Sequence, residues 1–117
     1  MKTPFINDPF ALVWKAFKNL YPDKDCEMWW DSEIRDSESG IPALGMTDFG
    51  VDGLVSVFIK PSLSVVDATE VLAHELAHVA VGVEQDHNEV WETAFDAIFR
   101  EYNRIGGEMF PESVTEQ

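Results

Sequence analysis

The sequence predicts an α+β domain with an N-terminal helix, a three-stranded sheet and two further helices. Three observations predict it. Apolar side chains recur at helical spacing in residues 9–20, 64–82 and 88–105. Between the first two of these stretches lie short segments rich in β-branched and aromatic residues, the mark of strands. At 117 residues and 45% apolar, the chain has the size and composition of a single packed domain, residues 1–117, rather than of two domains or a disordered chain.

The elements follow in order. Asn7-Asp8-Pro9 is a helix start, with Asp8 as cap and Pro9 in the first turn. Phe10, Val13, Trp14, Phe17 and Leu20 then form one apolar stripe, and Tyr21-Pro22-Asp23 ends the helix. The stripe is core packing. Residues 26–34 form a first strand, and the polar stretch 35–40 is a loop. Residues 42–49 form a weaker strand interrupted by Gly45, and such a strand belongs at a sheet edge. Asp52-Gly53 is a hairpin signal leading into 54–59, the clearest strand of the chain, stopped by Lys60-Pro61.

The next helix starts near 64–67, where Ser64-x-x-Asp67 and Asp67-x-x-Glu70 both read as capping boxes. Val71, Leu72, Leu76, Val79, Ala80 and Val83 make it apolar around much of its circumference, so it is buried. Gly82 stops it, and residues 83–86 turn the chain. The last helix, 88–105, carries Trp91, Phe95, Ile98, Tyr102 and Ile105 on one face and ends at Gly106-Gly107. Residues 108–117 read as a mobile acidic tail.

The buried helix carries the chemistry. His74-Glu75-Leu76-Ala77-His78 reads H-E-x-x-H. On a helix, side chains four apart share a face, so both imidazoles can reach one zinc ion at about 2.0–2.1 Å. Glu75 lies beside them, about 100° around the helix, where a general base for an attacking water belongs. Without such a role its carboxylate would be buried beside apolar side chains with no evident partner, at a cost of several kcal/mol.

A catalytic zinc takes three protein ligands and keeps one position open. His87, the third and last histidine of the chain, stands nine residues after His78 and is the first choice. Glu84, Glu89 and Glu92 compete. Glu84 stands six residues after His78, where the long metzincin motif places its third ligand, but Val81 replaces the glycine that motif requires. Glu92 with Asp96 is a faint match to the carboxylate ligand of gluzincins.

The string from His74 to His78, then Gly82, then His87-Asn88-Glu89-Val90-Trp91, resembles the metal-site signature of SprT-like and WLM-type metallopeptidases. In those families an H-E-x-x-H motif is followed, after a variable loop, by a histidine with an aromatic residue four further on. A glycine usually follows that histidine, and Asn88 stands there in this chain. The element order is also similar to the compact, zincin-like minigluzincin fold. The resemblance implies zinc ligands at His74, His78 and His87, with Glu75 as base and acid in peptide-bond hydrolysis. The oxyanion donor is open, with Tyr102 and Arg104 as candidates.

Charge and cysteine content bound the partners. With 22 acids against 8 bases the net charge is −14, which repels phosphate backbones and anionic lipid. A protein or peptide substrate is expected, with no nucleic acid and no membrane. SprT-like relatives associated with DNA carry a zinc ribbon or basic tail that is not found here, so the resemblance extends to the chemistry and not to a DNA partner. Cys26 is the only cysteine and suits a reducing compartment. With no leader-like start and no long apolar run, a soluble cytoplasmic protein is expected. Two other classes remain open: a non-catalytic zinc-stabilised binding module, and an acidic inhibitor that imitates nucleic acid.

Overall fold

The computed structural model describes residues 9–34, 43–50, 53–82, 84 and 87–109. They form an α+β arrangement of three helices and a three-stranded sheet. Helix α1 is Pro9–Leu20, strands β1, β2 and β3 are Glu27–Trp30, Gly45–Phe49 and Val55–Ile59, and helices α2 and α3 are Val65–Val81 and Glu89–Met109. The expected cap Asp8, the loop 35–40, Asp52 of the hairpin and the end of the acidic tail lie outside the described residues.

The sheet order is β1-β3-β2, with β1 parallel and β2 antiparallel to β3. Strand β2 therefore lies at an edge, as its weak pattern predicts. The hydrogen-bond phase of that edge follows from its two ends. Gly50 N donates to Leu54 O at 2.9 Å and Lys60 N to Leu44 O at 3.0 Å. Antiparallel pairs alternate, so positions 44, 46, 48 and 50 bond to β3, while the main-chain groups of Gly45, Thr47 and Phe49 point away from it. Ile34 O takes the Ala43 N–H at 3.0 Å, which closes this outer edge just before Gly45.

Helix α2 touches α1, α3, β2 and β3, and this explains its nearly continuous apolar surface. Leu72, Ala73, Leu76 and Ala77 are buried there, together with Val13 and Phe17 of α1, Val57 and Ile59 of β3, and Trp91 and Ile98 of α3. Burying a side chain of Leu or Phe size contributes about 1.5–3 kcal/mol. Of the two capping boxes the first governs, since Ser64 Oγ accepts from Asp67 N at 3.2 Å. Gly82 ends the helix at φ 93°, a left-handed value that glycine adopts without cost.

Helix α3 differs from expectation at its end. It runs through Gly106 and Gly107 to Met109. Among the described residues the glycines with positive φ are Gly53 and Gly82 only, so the pair stays helical. Glycine permits a stop but does not impose one, and its penalty inside a helix is only about 1 kcal/mol. No helix among the described residues is long and apolar enough to cross a membrane.

Candidate metal centre

Helix α2 presents His74 and His78 one turn apart, with ring centroids 5.1 Å apart. His87, beyond the end of α2, comes to the same place, its ring centroid 4.9 Å from that of His74 and 4.8 Å from that of His78. His87 stands at φ 48°, a left-handed conformation that costs a non-glycine residue on the order of 1–3 kcal/mol. The next residue, Asn88, caps α3 by accepting from Trp91 N at 3.1 Å. The left-handed step thus falls on His87 itself, and Asn88 serves as the cap.

The three imidazoles converge through their Nε2 atoms. His87 Nε2 lies 2.9 Å from His74 Nε2 and 3.1 Å from His78 Nε2. Nitrogens bound at about 2.0–2.1 Å around a tetrahedral zinc stand roughly 3.3 Å apart, so the two His87 distances are close to those of a ligand set, and all three donor atoms lie within 4.8 Å of one another. Among the described residues these three are the group of potential ligands near enough to hold one ion. Burial, followed by the neighbouring His78 and His87, pushes His74 down to about pH 4, which keeps its nitrogen a neutral donor at pH 7.

Trp91 is the platform under this cluster. It is buried, its ring centroid lies 4.6, 5.4 and 4.9 Å from those of His74, His78 and His87, and its Nε1 donates to His74 O at 3.2 Å. Phe95 stacks on Trp91 at 5.2 Å, with its ring centroid 6.1 Å from that of His74. Both residues also line an open cleft of about 660 Å³ that reaches His74, Glu75 and Gly45.

Glu75 turns toward β2. It is 6% exposed, and its Oε1 accepts from Thr47 Oγ1 at 2.8 Å. Its Oε2 lies 3.9 Å from His74 Nε2, outside the ligand group yet beside it. With His74 neutral this contact is not an ion pair. Burial pushes the Glu75 carboxyl up to about 7, while the Thr47 hydrogen bond pulls in the opposite direction. The partner that the sequence left unidentified is thus a hydroxyl on the edge strand. Gly45 makes room for it: a Cβ at that position would lie 3.0 Å from Glu75 Oε2 and 2.5 Å from Val71 Cγ1.

The remaining sequence candidates fall elsewhere. Glu84, Glu89 and Glu92 are exposed and stand apart from the ligand group. Tyr102 packs against Phe99 and against the cluster of Leu12, Ala16 and Ile105, and Arg104 forks onto Glu101 at 2.7 Å. Neither lines the cleft, so neither is placed to stabilise an oxyanion. Cys26 is half-buried against the core, and burial pushes its thiol up to about 11, which leaves it no thiolate character at pH 7. Sequence reasoning missed Thr47, whose only signal is that it alternates with Gly45 on one face of a short strand.

Compared with protein-family models, curated proteins and solved structures, the chain finds no significant match. The likeness to SprT-like and WLM-type peptidases therefore rests on the residues named above.

Proposed function

We propose that the chain is a zinc-dependent metallopeptidase of zincin-like fold. The observation that carries this reading is the convergence of three imidazole nitrogens beside a buried carboxylate that is not itself one of the ligand group. The donor set suits zinc: three nitrogens leave the fourth tetrahedral position open, as catalytic sites require. His74, His78 and His87 would hold the ion. Zinc in such a site acidifies water and polarises a carbonyl oxygen.

The chain's own residues supply the rest. Glu75, poised near neutrality by burial, takes the proton of the attacking water and returns it to the leaving nitrogen. Trp91 and Phe95 form an apolar wall that limits water at the cleft. The outward main-chain groups of β2 offer an extended peptide a strand to pair with, so the substrate would lie along that edge. The acidic surface favours neutral or cationic protein segments over nucleic acid or anionic lipid, and the unpaired Cys26 suits a reducing, intracellular setting.

The test is cleavage of an unfolded protein or a peptide library by the zinc-loaded protein and by Glu75→Gln. The wild type cleaves. The variant retains zinc and loses roughly a hundredfold or more in rate, the usual scale for an acid–base group. A zinc-loaded wild type inert on every substrate would leave a non-catalytic zinc module as the reading, and full activity in the variant would remove Glu75 from the mechanism.

A further inference from the structure

Thr47 occupies two settings at once. Its side chain faces α2, where Oγ1 stands 2.8 Å from Glu75 Oε1 and 3.2 Å from the Glu75 carbonyl oxygen. Its main chain belongs to the set of β2 positions that point away from β3, because the alternation anchored at Gly50–Leu54 and Leu44–Lys60 assigns the even positions to β3. Gly45 shares that phase, and its missing side chain lets β2 approach close enough for the hydroxyl to reach Glu75. Ile34 blocks the edge at Ala43, so among the described residues the stretch of β2 with no outer partner begins at Gly45 and has Thr47 at its middle.

We propose that Thr47 is a positioning residue that couples substrate docking to the orientation of the base: its N–H and C=O pair with the incoming peptide strand while its hydroxyl holds the Glu75 carboxylate toward the three-histidine cluster. The proposal rests on the peptidase reading for its substrate and on the Thr47–Glu75 geometry for its mechanism. The carboxylate has rotatable bonds of its own, and Oε2 must face the histidine side while Oε1 is anchored. A hydroxyl on the strand that would carry the substrate fixes this orientation from outside the zinc helix. A misplacement of about 1 Å at such a group costs on the order of a hundredfold in rate.

Two variants test it in the full-length, zinc-loaded protein. Thr47→Val keeps the shape and removes the donor, whereas Thr47→Ser keeps the donor. Zinc content acts as a control and stays at the wild-type value in both, and a cooperative melting transition confirms that both variants fold. The first readout is independent of cleavage: the side-chain carboxyl 13C resonance of Glu75, assigned by its loss in Glu75→Gln. It moves in Thr47→Val and returns toward the wild-type position in Thr47→Ser. The second is kinetic. In Thr47→Val, kcat falls roughly ten- to a hundredfold with KM within about a factor of two, and Thr47→Ser restores most of it. A carboxyl resonance unmoved in Thr47→Val, or an unchanged kcat, overturns the proposal. If the wild type cleaves nothing, the peptidase reading fails by itself, and the coupling to a substrate fails with it. A resonance that still moves then shows that the hydroxyl holds the carboxylate, separating the two failures.

Discussion

Helix α2 has two faces built on opposite principles. Toward α1, α3 and β3 it presents Leu72, Ala73, Leu76 and Ala77, none more than 2% exposed. Toward β2 and the cleft it presents His74 and Glu75, and His78, one turn on, joins His74 in the imidazole cluster. The first face contributes stability through ordinary burial. The second spends it: a carboxyl pushed up to about 7 by burial, and a neighbouring histidine pushed down to about 4 by burial and its fellow imidazoles. The left-handed His87 adds backbone strain. One helix thus holds a polar cluster in place because its other side is packed too well to move.

The largest effect on folding belongs to the packed face. Leu76 is fully buried, and Leu76→Ala should lower the unfolding free energy by about 2–5 kcal/mol in a urea titration. A loss below about 1 kcal/mol would mean that α2 is not the anchor described here.

Much of this contrast can be read from the sequence. Ser64 and Gly82 bracket α2 as expected, and the apolar positions that make it a central helix are spaced for burial on several sides. The edge position of β2 follows from Gly45 and a weak strand pattern. What the sequence withheld is long-range. Thr47 and Glu75 are 28 residues apart, and no local pattern joins a strand hydroxyl to a helix carboxylate. The parallel placement of β1 on β3 is likewise a product of packing rather than of spacing. The continuation of α3 past Gly106-Gly107 was hidden for another reason, since glycine marks where a helix can end and tertiary contacts decide whether it does.

The polar face should give a smaller and opposite response. In the metal-free protein the Glu75 carboxyl lies near 7, above its usual 4.5. A group whose folded pKa is raised contributes stability below its unfolded pKa and loses it as pH rises through the folded value. Wild type should therefore weaken relative to Glu75→Gln between about pH 4.5 and pH 7–8. The variant should be the more stable at pH 8 by up to about 3 kcal/mol. The lowered pKa of His74 acts in the opposite direction, with stability lost as pH falls below about 6.5, but it is common to both proteins and cancels in the difference. Parallel pH–stability curves for the two proteins would show that Glu75 is not strained by its burial.

The central claim is that the polar face of α2, completed by His87, is a zinc site. Metal analysis of the purified protein, followed by calorimetric zinc titration of the metal-free form, tests it directly. The prediction is one zinc per chain, with affinity lowered by more than about a hundredfold in His87→Ala and nearly unchanged in Glu84→Gln, whose carboxylate is exposed and outside the ligand group. A folded wild type that is recovered without metal and takes up no zinc on titration would contradict it.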